Sequence, residues 1–204
     1  MKVITTFLIA ILLLTLVSCA FEREPDVWYL VTNERAYLCA LPVKSSVLLV
    51  AALHLDTLAL YRTDLQRRGI VSDDLGALQD LFGLRGQHYM RGTSDVWNTL
   101  FSILDRMSQN PPNPQQRWNT LVANAKTLSK TLDVDTLQQL AGPRTDSEDI
   151  QEALRLLAKR VVQVRYFDAS LFIDPKADSV RMKMHVSAWT EAAMKAVMNR
   201  TTEE

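Results

Sequence analysis

The chain has 204 residues, with 23 basic against 23 acidic side chains, an apolar fraction of 48%, and only 6 Gly, 7 Pro and 2 Cys. That balance excludes the basic excess that marks nucleic-acid binders. The apolar share is too high for a disordered chain, and two cysteines make neither a disulfide scaffold nor a structural zinc site. What remains is one ordinary globular domain or two small ones.

Met1 and Lys2 form a short positive region, and Val3 to Leu14 is an apolar run broken only by Thr5 and Thr6. The run is shorter than the about 20 residues of a membrane span and matches the roughly 7–15 of a secretory signal core. It ends in Leu16-Val17-Ser18-Cys19, a branched apolar residue, a tolerant position and a small residue before cysteine. This pattern resembles the lipobox of bacterial lipoproteins. The resemblance covers the signal segment alone and carries no fold. It implies that residues 1–18 are removed as a signal peptide. It also implies that the Cys19 thiol takes a diacylglycerol and that the amine freed by cleavage takes a further acyl chain, so the protein is anchored by more than one chain. Ala20, where an Asp would redirect sorting, implies the outer membrane and its periplasmic face in a Gram-negative host.

Removing residues 1–18 takes away only Lys2 among the charges, so the mature chain stays near neutral and acyl chains, not charge, would hold it at its membrane. Residues 19–26 are the lipidated cysteine and a tether. From Ala20 to Asp26 the chain reaches about 25 Å at ~3.5 Å per residue, which keeps the body close to the bilayer. Acylation of Cys19 leaves Cys39 without a partner. Its apolar neighbours Tyr37, Leu38, Ala40 and Leu41 predict a buried thiol, the alternative being a bridge to another chain.

In residues 27–42, Val27-Trp28-Tyr29-Leu30-Val31 and Ala36 to Leu41 flank a polar break, which reads as a short β-hairpin or an irregular arm. Trp28 and Tyr29, close to the tether, are candidates to rest at the membrane interface or to dock a partner. Residues 43–204 read as a helical domain. From Ser45 to Arg68, Val47, Ala51, His54, Leu58, Tyr61 and Leu65 recur at spacings of four and three, and further leucines make this helix apolar on nearly every face. Such a helix is central to a bundle or covered by a partner. Ser72-Asp73-Asp74 opens a helix with Leu75, Leu78 and Phe82, and Thr93-Ser94-Asp95 opens another with Trp97, Leu100 and Leu104. The Asn110 to Pro114 stretch punctuates the chain, with Asn113 as cap and Pro114 at the first helical position of a stripe from Trp118 to Leu132.

A short piece spans Asp135 to Leu140. Thr145-Asp146-Ser147-Glu148 has the form of a capping box before Ile150, Leu154, Leu157, Val161, Val164 and Leu171, a seam whose one polar member is Asp168. A strand over Val161 to Phe167 competes with this helix; the unbroken spacing from Ile150 favours the helix. Asp178 to Asn199 closes the chain with Met182, Val186, Trp189, Ala193 and Val197 on one side. The expected fold is therefore all-α, a single compact or somewhat elongated bundle of about five to seven helices, with the hairpin or arm at its start.

His54, His88 and His185 lie on different elements without metal-ligand neighbours at helical spacing, and no nucleophile, phosphate-loop or haem motif is present, so no cofactor or metal is expected. Asp73-Asp74 and Glu148-Asp149 fall where helix N-termini favour negative charge. The stretch from Gly83 to Gly92 is different. Arg85, His88, Tyr89 and Arg91 in a glycine-bounded loop suit a phosphate, a carboxylate or a partner's acidic edge; the plainer reading is a connecting loop whose Tyr89 and Met90 pack inward. These features lead to an expected envelope lipoprotein that binds proteins as a structural or assembly subunit of a secretion, conjugation, pilus-like or exclusion system. Its partners would be the membrane, through Cys19, and envelope proteins. Oligomerisation is open, and nucleic acid is not expected. The alternative is an enzyme or small-ligand or anion binder using the Arg85–Arg91 loop with His54 or Asp56.

Overall fold

A computed structural model describes residues 25–32, 34–43, 45–86, 88–91, 113–133, 135–136, 147–174 and 176–200. The signal segment and Cys19 lie outside them, as do the helix expected from residue 93, most of the 135–140 piece and the start of the capping box at 145. Strand β1, Asp26–Val31, turns at Thr32 into β2, Arg35–Leu41. The turn closes because Thr32 N donates to the Arg35 carbonyl at 2.8 Å while the Thr32 hydroxyl oxygen accepts from Arg35 N at 3.1 Å. β3, Val47–His54, continues the antiparallel meander, with Arg35 opposite His54. Two further strands add in parallel at the edges: β4, His88–Arg91, beside β1, and β5, Gln163–Asp168, beside β3. The order is β4-β1-β2-β3-β5, so every strand except β2 runs in one direction.

Helices cover both faces. On one lie α3, Pro114–Thr131, and α4, Ser147–Arg160, packing Trp118, Leu121, Ile150, Leu154 and Leu157 on Trp28, Leu30, Cys39, Leu48 and Val50. On the other lie α1, Leu55–Arg67, α2, Asp74–Phe82, and α5, Ser179–Arg200, over Val27, Tyr29, Leu38, Leu49, Ala51 and Leu53. A 3-10 turn, Ala169–Phe172, links β5 toward α5. The result is a three-layer α/β fold.

The all-α bundle is thus corrected, and the reason is physical. A strand covered on both faces has no polar side to alternate with, so it reads as a continuous apolar run, as parallel and central strands do. Val47 to Leu53 is such a run, all but its first residue fully or nearly fully buried. Within it, helical spacing is matched by default. The expected helix from Ser45 to Arg68 is in fact β3 followed at once by α1. The same correction applies to the seam from Ile150. α4 ends at Arg160, Val162 N and Gln163 N both donate to the Ser46 carbonyl, and that capture lays residues 163–168 beside β3 as a strand. Residues 27–42 do pair as β1 and β2, but in the middle of the sheet and not as an arm on a bundle. The domain read as helical from residue 43 contains three of the five strands. Where capping chemistry is explicit, the helices start as their sequences dictate: the Asp73 carboxylate accepts from Gly76 N at 2.7 Å, and Asn113 and Gln116 form a reciprocal capping box on either side of Pro114.

Candidate functional site

The C-terminal ends of β3 and β5 and the first residue of β2 meet at one end of the sheet, and there four elements converge on Arg35. Its guanidinium donates to Asp168 Oδ2 at 2.7 Å and to the Tyr166 hydroxyl at 3.3 Å. Its second terminal nitrogen lies 3.2 Å from His54 Nε2. A guanidinium can only donate, so the imidazole nitrogen accepts. Asp168 also caps the 3-10 turn, its Oδ1 accepting from Ser170 N at 3.0 Å, and the Ser170 hydroxyl oxygen accepts from His54 N at 2.8 Å. Burial alone would raise the Asp168 carboxyl, but the hydrogen bonds from Arg35 and Ser170 and the charge of Arg35 outweigh it and hold the group below the usual carboxylate range. Burial likewise disfavours the Arg35 cation, and Asp168 overcompensates, so the guanidinium is held more firmly protonated. Neighbouring Tyr37 is pushed up to about 12 by burial first and by Tyr166 second.

Beside this network the surface turns apolar. Leu171 is 81% and Phe172 44% exposed, and the Phe172 ring stacks on Trp189 of α5 at 5.0 Å between centroids, with Phe167 beneath. A self-neutralised ion pair thus borders an exposed apolar ledge. The arrangement offers directional donors and acceptors next to buriable surface, the pairing found in protein-docking patches with an apolar centre and polar rim.

The residues singled out in the sequence are distributed differently. Arg85 is exposed in the connection after α2. His88 to Arg91 is not a loop but the edge strand β4, in register with Trp28 to Val31. Successive strand positions belong to opposite faces, so the run does not make one cradle. Tyr89 is half-buried against the core on the α1, α2 and α5 side. β4 and β3 are separated by β1 and β2, three steps of about 4.8 Å or roughly 14 Å, so the Arg91 position and His54 end the sheet together but well apart. Trp28 and Tyr29, expected to face a membrane or partner, are both interior, a second correction. Adjacent on β1, they enter opposite core layers: Trp28 beneath α3 and α4, and Tyr29 against Phe82, with its hydroxyl donating to the Leu84 carbonyl at 2.8 Å. His54 sits in the network described above, and Asp56 is exposed in the first turn of α1. Arg35, Tyr166 and Ser170 carried no sequence signal, because their partners are up to 133 residues away. Asp168 left one trace, as the single polar residue of an apolar seam.

Two other places hold chemistry-bearing groups. Asp80 accepts from the Tyr61 hydroxyl and from Lys183, tying α1, α2 and α5 together; burial opposes its ionisation, and the two donors hold it below the normal range. Between the sheet and α3 and α4 is an apolar cavity of about 20 Å³, lined by Trp28, Leu30, Cys39, Leu48, Trp118, Ala153 and Leu157. That is room for about one water and no polar group to hold it. Cys39 lines it, and burial raises its thiol well above the ordinary range, so it is kept in the unreactive form. Among the described residues no group of three or more His, Cys, Asp or Glu is placed to hold a metal, and no helix is long and apolar enough to cross a membrane.

No family model matches this chain, and no curated protein matches it. Among solved structures it is similar to the X-ray structure of the Lin1025 protein from Listeria innocua, with a TM-score of 0.53 and 9% sequence identity over 83% of this chain and 98% of that one. At that identity the likeness is one of fold: the three-layer arrangement described above is shared with a solved protein of nearly the same extent.

Proposed function

We propose that this chain is a bacterial envelope lipoprotein, anchored by acyl chains on Cys19 and acting as a protein-binding subunit of an envelope assembly through the Arg35–Phe172 end of its sheet. The anchor rests on the lipobox-like Leu16-Val17-Ser18-Cys19. In a Gram-negative host, Ala20 after Cys19 assigns it to the periplasmic face of the outer membrane. One observation carries the binding surface: Leu171 and Phe172 stand exposed, Phe172 stacked on Trp189, in the 3-10 turn that Ser170 joins to the Arg35 and His54 polar groups. The alternative, an enzyme or anion binder using the Arg85–Arg91 loop, has less support, because His88 to Arg91 runs as the edge strand β4, whose successive positions belong to opposite faces.

The test is site-specific photo-crosslinking in native membranes from position 171 and, as the comparison, from exposed Glu191 on the outer face of α5. A discrete adduct from 171, absent from 191 and reduced when Phe172 is changed to Ala, is the expected outcome. Equal, diffuse crosslinking from both positions would remove the docking assignment.

A further inference from the structure

Resting on the lipid-anchor reading above, we infer that the opposite end of the sheet, carrying exposed Val43 and Val162, is a seating surface for an anionic phospholipid bilayer. Every strand except β2 starts at that end. It is therefore the end where the chain enters at Asp26, where β2 turns into β3, and where α4 passes into β5. These three segments are stitched together by named bonds. Arg160 pairs with Asp26 and donates to the Pro42 carbonyl at 3.2 Å and the Val43 carbonyl at 2.9 Å, while Val162 N donates to Ser46 O at 2.8 Å.

Covalent geometry then limits how far this end can be from the lipid. Six peptide steps from Cys19 to Pro25 span at most roughly 22 Å even when fully extended. β1 itself is about 20 Å long at ~3.3 Å per residue, so the Leu171 end lies one strand length from the entry point. The seating end also has suitable chemistry. Val162 is 81% and Val43 36% exposed, on the two turns that flank the entry point. The Arg160 charge is taken up by Asp26; among the described residues exposed Lys159 is the next cation at this junction, with exposed Arg155 one helical turn and Glu152 two turns back along α4. Cations beside apolar side chains complement an anionic headgroup layer over its acyl boundary. The two ends of the sheet thus divide the work: one rests on lipid while the other presents the docking ledge.

The experiment uses the full chain purified from its own membranes, its N-terminal mass recorded, and reconstituted in vesicles of phosphatidylethanolamine with a minority of phosphatidylglycerol. An environment-sensitive dye is placed on Val162→Cys or on Leu171→Cys, and quenching by brominated lipid is compared. The dye at 162 is expected to shift blue and to be quenched several-fold more than at 171. Unlabelled protein supplies the second readout: amides of 160–163 gain hydrogen-exchange protection on vesicles, and Val162→Asp loses that gain. Acylated protein with equal quenching at 162 and 171, and no protection at 160–163, overturns the seating and leaves the anchor standing. An N-terminus that carries no acyl chain overturns the anchor and this inference together.

Discussion

Through one guanidinium Arg35 of β2 joins β3 and β5, and its partner Asp168 holds the 3-10 turn; the worth of the junction depends on Asp168 staying ionised. Neither side chain is more than a quarter exposed, so the pair is screened less than a surface ion pair. Asp168→Asn, which keeps the acceptor for Ser170 but removes the charge, is expected to cost about 1.5–3 kcal/mol in chemical denaturation, the range for charged hydrogen bonds. The folded-state carboxyl titrates below its unfolded value. Its stabilisation is therefore complete above the unfolded carboxylate value of about 3.9 and is lost as pH falls through the folded one. The gap in melting temperature between wild type and Asp168→Asn should accordingly be constant from neutral pH down to about 5 and should close at lower pH. A gap that persisted unchanged in acid would mean that the charge of Asp168 contributes nothing. At this scale the sequence was informative only where a residue's role is local. Asn113 and Asp73 announce their caps within three residues, whereas Arg35 and Asp168 are joined only by the fold.

The elements show why helices were legible and strands were not. α3 declares itself through a capping box, Pro114 and a spaced apolar stripe, signals that belong to helices alone. β3 carries no comparable marker: buried on both faces, it lacks the alternation that a half-solvated strand displays. β5 does alternate, with Gln163 and Arg165 exposed about buried Val164, but it is six residues long and its apolar positions continue the helical spacing of α4, and such short runs fit either periodicity. The end of α2 illustrates a local signal with a stereochemical basis. Gly83 ends the helix at φ 70°, and a Cβ there would lie 3.2 Å from Cβ of Ser187 on α5. Gly69 has a similar φ of 77° and open space around it. Both positions disfavour an L side chain by about 1–2 kcal/mol. Gly83→Ala should therefore destabilise more than Gly69→Ala, since it adds a contact that α5 must yield to. Denaturation midpoints of the two variants measure the difference, and equal losses would show that α5 moves aside freely.

For the whole molecule, the sheet has two ends with different chemistry, and the N-terminal anchor we propose would give that polarity a direction. The tether enters beside Arg160, Val43 and Val162, and the network of Arg35 and the ledge of Leu171 and Phe172 lie a strand length away. The chain is near neutral, and at both ends of the sheet charges are paired within it: Asp26 with Arg160, and Asp168 with Arg35. The docking and seating assignments both take their orientation from Cys19. The most direct test is therefore the intact N-terminal mass and membrane fractionation of wild type beside Cys19→Ala. Wild type should begin at an acylated residue 19 and partition with membranes, while Cys19→Ala should leave an uncleaved precursor or release the protein. Unchanged mass and fractionation in the variant would contradict the account.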